Sequence, residues 1–199
     1  MGGVFARSGM AAGRRRSSPR GSLTLAVLLC LLSACTTGKP GMTYRAYAVA
    51  GDSGEAILRS VRASAPRDGR AYGLTQITFH PVYALADAKA RCAVERATVG
   101  VELVLLLPQW REGAPPAPRV RGVWNRFEGT VRAHEHTHAT IAKAHARRLE
   151  RTLLALRAPD CGGLRRRIDE EIARAKRTHL AAQAAFDLRE KKKLKSLLP

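Results

Sequence analysis

The longest regular pattern lies in the second half of the chain, where apolar residues and histidines recur every three or four positions. One run extends from Val120 to Leu156 and a second from Leu164 to Phe186. This spacing places the residues of each run on one face of an α-helix. A short break around Pro159 separates the two runs. We therefore predict two long helices that form an antiparallel hairpin.

The first half of the chain has the pattern of β-strands, interrupted by one helical segment. Residues 43–51 predict a strand, and residues 53–66 predict a short capped helix. Residues 71–85 predict a strand or a bulged pair, and residues 91–110 predict one long or two short strands. The expected fold is α+β: a small antiparallel or mixed sheet with a short helix, packed on the long C-terminal helix hairpin.

The N-terminal segment has the pattern of an export signal. Five arginines and no acidic residue precede an apolar run of twelve residues, at positions 23–34. That run is too short to cross the roughly 30 Å of hydrocarbon in a bilayer, which needs about 20 helical residues. The long basic flank makes Met10 a candidate for the true start. We expect residues 1–34 to be removed on export as a lipoprotein signal peptide.

The apolar run ends in the sequence LSAC, which resembles the bacterial lipobox. The resemblance implies cleavage before Cys35 and lipidation of its thiol, with residues 35–42 as the lipidated tether. An ordinary signal peptide with an incidental cysteine is the alternative. Thr36 stands where Asp would favour retention in the inner membrane, so we expect an outer-membrane lipoprotein that faces the periplasm. Its catalytic domain is predicted at residues 43–190, followed by a basic tail at residues 191–199.

The chain is strongly basic, with a formal net charge of +19, and it stays basic once the signal is removed. Such a charge favours anionic partners such as nucleic acid, acidic lipid headgroups or acidic polymers. Export and the lack of a recognition motif argue against nucleic acid. We expect membrane contact through the lipid anchor, with attraction of the basic segment Arg189 to Lys195 to the membrane surface as a secondary role.

Two cysteines remain in the body of the exported chain, Cys92 and Cys161. In an oxidising periplasm, an isolated pair of cysteines predicts one disulfide. Two buried thiols are the alternative. Two cysteines without further ligands make a poor zinc site.

The first long helix carries the segment His134-Glu135-His136-Thr137-His138, which satisfies the pattern HExxH. On a helix the two outer histidines lie at i and i+4, so both imidazoles can bind the same Zn²⁺. Glu135 lies beside them, where it can take a proton from water as the general base. Both outer histidines also occupy the apolar face, where a bound metal explains the burial of polar side chains. Core histidines bonded to backbone carbonyls are the alternative.

Two further histidines lie close to this motif in the sequence. His136 points away from the apolar face, and we expect it to be exposed or to support the site indirectly. His145 shares the face but lies seven residues beyond His138, which is about 10 Å along the axis of a straight helix. We therefore expect His145 in the core or around the site, and not as a ligand of the same metal.

A series of features runs through the chain in a fixed order. They are an early strand with Tyr47, Val49 and Gly51, a turn with Pro66, Asp68 and Gly69, a Thr-containing strand, a Cys before the apolar strand ending LPQW, the pair Trp124 and Phe127, the HExxH helix and a second Cys after it. In this order the features resemble the predicted secreted zinc-dependent proteases of bacteria, a family catalogued as a domain of unknown function. The resemblance covers roughly residues 44–187. It implies a zincin-like metallopeptidase and supports a bridge between the two cysteines.

The chain departs from the family pattern near its C-terminus. The pattern continues with a Tyr-Asp pair, a Thr and then His-Gly. Here only Phe186-Asp187 matches, and no histidine follows in residues 188–195. The departure bears directly on whether this member of the family is active.

Catalytic zinc takes three protein ligands in most enzymes, and HExxH supplies two. If the helix hairpin turns between Asp160 and Cys161, Asp187 faces His134. The matched Phe-Asp pair of the family points to Asp187 as well, so we predict it as the third ligand or as a hydrogen-bond partner of a ligand. A charge paired with Arg189 or a lysine is its alternative role. His179 is the alternative ligand, because it lies on the inner face of its helix.

The expected function is zinc-dependent hydrolysis of peptide bonds by an exported lipoprotein. The expected substrate is a polypeptide or the peptide part of peptidoglycan. By analogy with zincins, residues 101–107 are a candidate edge strand that aligns an extended substrate. Two alternatives remain open: an inactive protease-like lipoprotein that binds or scaffolds envelope components, and a metal-dependent cell-wall amidase.

Overall fold

The computed structural model describes residues 41–89, 91–111 and 115–197, so the expected signal peptide and the lipidated Cys35 lie outside the described residues. No helix in the described part of the chain is long and apolar enough to span a membrane. The elements in chain order are β1 (Met42–Val49), α1 (Gly54–Ser64), β2 (Leu74–Ala88), β3 (Arg91–Trp110), α2 (Pro118–Leu154), β4 (Arg157–Ala158) and α3 (Cys161–Lys195).

Helix α1 begins where the sequence predicts it. The Ser53 side chain accepts a hydrogen bond from the backbone N–H of Ala56, which satisfies one of the free donors at the helix start. The apolar residues Ile57, Leu58 and Val61 are buried on one face. The helix ends before Pro66, and the chain then turns through Arg67 and Asp68 towards β2.

The sheet is mixed, as the α+β prediction allows. Its order is β1-β3-β2, with β1 parallel and β2 antiparallel to the central strand β3. Strand β3 is one continuous segment of 20 residues. Strand β2 follows it over 15 residues, with one irregularity between Ala84 and Leu85. The short strand β4 adds to the start of β3 at Cys92.

The central position of β3 corrects one expectation. Residues 103–106 pair with β1 on one side and with β2 on the other, so the predicted edge alignment of a substrate by residues 101–107 is wrong. The continuous apolar run of this segment is typical of a strand that is covered by neighbours. Among the described strands, β2 forms one outer edge of the sheet, and β1 and the short β4 form the other.

The two long helices form an antiparallel hairpin. Side chains of α2 and α3 meet in reversed order, with His134 beside Asp187 and His138 beside Gln183. Helix α3 continues to Lys195, so the basic segment predicted as a tail from residue 191 is mostly the end of this helix. Lysine and leucine are good helix formers, and basic side chains interact favourably with the C-terminal end of the helix dipole.

A disulfide joins Cys92, at the start of β3, to Cys161, at the start of α3, with a Cα–Cα distance of 5.1 Å. It lies in a core formed by the far ends of both helices, together with Val94, Leu153, Leu164 and Ile168 among others. The two cysteines are 69 residues apart. Closing a loop of that length stabilises the fold by about 4 kcal/mol in the chain-entropy model.

Candidate metal centre

Three potential metal ligands converge between the two long helices. His134 and His138 lie one turn apart on α2, and Asp187 reaches them from α3. The Nε2 atoms of the two histidines are 3.0 Å apart. The Asp187 Oδ1 atom lies 3.1 Å from the first and 2.9 Å from the second. Within the described residues, this is the one group of three such side chains whose donor atoms converge.

The spacing of these three donor atoms fits a zinc ion. Bonds of about 2.0–2.1 Å at tetrahedral angles separate neighbouring donors by about 3.3–3.4 Å. The observed separations of 2.9–3.1 Å are slightly shorter. Two nitrogens and a carboxylate oxygen are a donor set that zinc accepts, and one coordination position is left for water or substrate. The residues present therefore fit the metal.

Gln183 determines which nitrogen of His138 carries the proton. The Gln183 Nε2 atom donates to the backbone carbonyl of His138 at 3.1 Å, which turns the Oε1 atom towards His138 Nδ1 at 2.5 Å. An amide oxygen can only accept, so Nδ1 carries a proton. In the neutral imidazole Nε2 is then bare, and it faces Asp187 and His134. The bare Nε2 atom is therefore free to bind a cation that lies between these groups. In metal sites, a hydrogen bond to the other ring nitrogen commonly orients a histidine ligand in this way.

His179 lies outside the three-donor group. Its ring is buried against Phe79, with centroids 4.9 Å apart, and its Nε2 atom lies 2.7 Å from Gln183 Nε2. His179 therefore accepts a hydrogen bond from the amide that orients His138. Of the two residues considered for the third ligand, the structure brings Asp187 and not His179 to the histidine pair.

The other two histidines of the segment are also away from the donor group. His136 is partly exposed, and its Nε2 atom lies 3.2 Å from the Tyr44 hydroxyl. His145 lies against His179, with ring centroids 5.5 Å apart. Burial is the main cause that lowers the pKa of His145, followed by the charge of Arg148.

Phe186 packs against the histidine pair and positions it. Its ring stacks on His134, with centroids 4.6 Å apart, and meets His138 edge-on at 5.0 Å. Burial, and then the neighbouring His138, lower the pKa of His134, whereas Asp187 opposes this shift. A lowered pKa keeps the imidazole neutral, which is the form that binds metal. The Nδ1 atom of His134 is buried without a hydrogen-bond partner among the described residues.

Glu135 is buried beside the donor group and is held by β2. It is 4 % exposed, and the Thr75 hydroxyl lies 2.7 Å from its Oε2 atom, to which it donates. Burial raises the pKa of Glu135, while the hydrogen bond from Thr75 and the charges of His138 and Arg67 lower it. The carboxyl is thus largely buried and held in a fixed orientation, and general-base catalysis depends on such positioning.

Gly73 leaves the space that Glu135 occupies. A Cβ atom at this position would lie 2.6 Å from Glu135 Oε1 and 2.7 Å from its Cγ atom. Neither Gly73 nor the partner hydroxyl of Thr75 was identified from the sequence as a site residue. The Thr-containing strand of the family pattern was the available signal for Thr75. The glycine carried no signal, because its role arises only where β2 approaches α2.

Comparison with known proteins identifies the family of the chain. A family model described as "Bacterial protein of unknown function (DUF922)" matches residues 44–193. The chain belongs to this family. The matched DUF922 segment includes Gly73, Glu135, the three donor residues and both bridged cysteines. No curated protein matches the chain, and no solved structure does.

The site of this DUF922 domain opens into a cleft of about 890 Å³. His134, Glu135 and Asp187 contribute to its lining, and Leu74 and Thr75 form one wall where β2 begins. The opposite wall comes from the end of α3, at Leu188 and the residues beyond it. The cleft is large enough for several residues of a peptide. The donor group and the buried carboxyl thus face a space that substrate can enter.

Proposed function

We propose that this DUF922 protein is a zincin-like, zinc-dependent metallopeptidase. The observation that carries the proposal is the convergence of His134, His138 and Asp187 next to the buried Glu135, at one cleft. A zinc ion bound by these residues supplies Lewis acidity, which polarises a substrate carbonyl and acidifies water. The expected substrate is a polypeptide or the peptide part of peptidoglycan.

The protein's own residues carry the proton transfers of this mechanism. Glu135 accepts a proton from the water that adds to the peptide carbonyl carbon. As the C–N bond breaks, Glu135 delivers that proton to the leaving amine. Thr75 keeps the carboxylate aligned through both transfers, and Gly73 leaves room for it. Gln183 holds His138 in the form whose Nε2 atom is free to bind metal.

Strand β2 is the proposed guide for the substrate, in place of β3. Leu74 and Thr75 line the cleft, and they pair with β3 on their inner side only. An extended peptide can add to the outer edge through main-chain hydrogen bonds. This alignment brings a scissile bond past Thr75 and towards Glu135.

One feature favours an alternative function without catalysis. The family pattern that the sequence resembles continues with His-Gly, and no histidine follows Asp187 in this chain. An inactive lipoprotein that binds or scaffolds envelope components is therefore the second candidate. The proximity of Asp187 to both histidines supports the active form, because it completes a donor set without that histidine. An amidase acting on the cell wall is the third candidate, favoured by the basic charge of the chain.

The proposal is tested by metal analysis and cleavage together. The mature protein, with Cys35 replaced by Ser so that it remains in solution, is expected to bind one zinc per chain. It is expected to cleave casein or envelope proteins in a chelator-sensitive manner. His134→Ala serves as the control, since it removes a donor and should lose the metal. Full zinc binding without cleavage of any protein would favour the binding lipoprotein, and muropeptide release would favour the amidase.

We also propose that the protein is anchored in the outer membrane through Cys35 and faces the periplasm. The supporting observation is LSAC at the end of a twelve-residue apolar run. Cys35→Ser is expected to leave the chain unlipidated and to release the mature domain from the membrane fraction. Partitioning into detergent that is unchanged in this variant would contradict the lipid anchor.

A further inference from the structure

The lining of the cleft carries positive charge from two parts of the chain. Arg62, Arg67 and Arg70 line the side formed by the end of α1 and the turn that follows it. Lys191 and Lys195 line the side formed by α3. The carboxylates in the same lining are Glu135 and Asp187, which the metal site itself uses. The cleft is therefore cationic outside its centre.

Most of these cations form no ion pair within the described residues, although the charge of Arg67 acts on Glu135 and lowers its pKa. Arg70 contacts Asp68 at 3.4 Å, in a pair that is almost fully exposed. The ion pairs found among the described side chains include none with Arg62, Arg67, Lys191 or Lys195. By contrast, Lys193 on another face of α3 is paired with Glu190 at 2.9 Å. Unpaired cations around a cleft attract anionic groups of a ligand.

The lysines follow the third donor residue along one face of α3. Lys191 and Lys195 lie four and eight residues beyond Asp187, or about 6 and 12 Å along the helix axis. An extended peptide advances about 3.3 Å per residue. The two lysines therefore lie about two and four peptide residues from the donor group, a distance at which side chains of a bound peptide can reach them.

The turn that carries Arg67 and Arg70 has an unusual backbone. Arg67 and Asp68 both have positive φ angles, of 55° and 57°, and Gly69 follows with 75°. Residues other than glycine adopt this region at a cost in free energy, and such residues concentrate at functional sites. The Arg70 Nε atom donates to the Arg67 carbonyl at 3.0 Å, which closes the turn on itself. The turn thus presents its arginines in a defined position.

We infer that the cleft selects an extended acidic peptide, with carboxylate side chains about two to four residues from the bond at the donor group. This inference rests on the proposed peptidase function for its orientation, but the charge preference is a property of binding alone. Apolar residues such as Leu58, Tyr72 and Leu188 line the cleft together with the cations. They contact the peptide where it carries no charge, so the preferred sequence mixes acidic and apolar residues.

Peptide binding tests the inference without catalysis. The zinc-loaded mature protein with Glu135→Gln and Cys35→Ser is titrated with a fluorescent ten-residue peptide containing three glutamates and with its glutamine counterpart. We expect the acidic peptide to bind about tenfold more tightly at low salt, with the preference falling as salt screens the charges. Equal affinities for the two peptides would overturn the inference.

Matched charge reversals test whether the preference for the acidic peptide comes from the lysines that line the cleft. Lys191→Glu with Lys195→Glu should reduce the preference for the acidic peptide about tenfold. Lys192→Glu with Lys193→Glu changes the net charge equally on residues outside the cleft lining, and it should leave the preference nearly unchanged. An equal loss in both pairs would show that bulk charge, and not the cleft, attracts the peptide, which would overturn the inference.

Two further measurements distinguish a failure of this inference from a failure of the peptidase proposal. Vesicles with anionic lipid that bind the protein, and compete with the peptide through Lys191 and Lys195, would assign these residues to a membrane surface and overturn the inference. A clear charge preference in a protein that cleaves no peptide when Glu135 is present would support the cationic cleft while the peptidase proposal fails. Cleavage of peptides without any charge preference would support the peptidase proposal while this inference fails.

Discussion

Glu135→Gln is expected to reduce peptide hydrolysis by about 10³-fold, within the range that a positioned general base contributes. The amide has nearly the same shape as the carboxylate, but it cannot accept the proton from water. Glu135 is not one of the three donor residues, so the zinc content should be unchanged. Initial cleavage rates and metal content of the same preparation check the result. Activity near that of the unchanged protein would exclude Glu135 as the base.

Gly73→Ala tests the role of the Glu135 carboxylate without changing Glu135 itself. The added methyl group would meet the Oε1 and Cγ atoms of Glu135 at 2.6 and 2.7 Å, so the side chain must move from its place beside Thr75. We expect cleavage to fall while the zinc content stays at one per chain. A matched Gly129→Ala change, on α2 where no atom lies within 4 Å of the new Cβ, should affect neither property. This comparison separates displacement of the base from general damage to the fold.

The order of secondary structure was predictable because its signals are local. Positions spaced by three and four residues predict both long helices, since each helix turns one face towards the rest of the fold. Ser53 predicts the start of α1 through a hydrogen bond three residues away. The position of β3 in the sheet was not predictable in this way. Which strand lies at an edge depends on pairing between segments far apart in sequence.

The residues of the candidate site also fall into two groups, those that the sequence predicts and those that it does not. The pair His134 and His138 follows from helix geometry, and an antiparallel hairpin with a short turn predicts that Asp187 lies opposite the first of them. The supporting role of Gln183 and the space at Gly73 depend on side-chain orientation and on the approach of β2 to α2. No spacing rule in the sequence contains that information. The structure is therefore most informative for the residues that surround the donors.

Asp187→Asn is expected to weaken zinc binding by more than about 100-fold, beyond the 10–100-fold that is typical for partners of metal ligands. The change removes the negative charge of the group, and zinc binding favours an anionic carboxylate oxygen over a neutral amide oxygen. His179→Ala should have a much smaller effect, because His179 reaches the donor group only through Gln183. Competition with a zinc-binding dye measures both affinities on folded protein.

Gln183→Leu is the third variant in this comparison of zinc affinities. Leucine fills a similar space but cannot accept from His138 Nδ1, so the imidazole can adopt the form that carries its proton on Nε2. That form cannot bind metal through Nε2, the atom that faces the other two donors, and we expect zinc affinity to fall about 10–100-fold. The expected ranking of losses is Asp187→Asn, then Gln183→Leu, then His179→Ala. A larger loss for His179→Ala than for Asp187→Asn would identify His179 as the ligand and would contradict the donor group described for this fold.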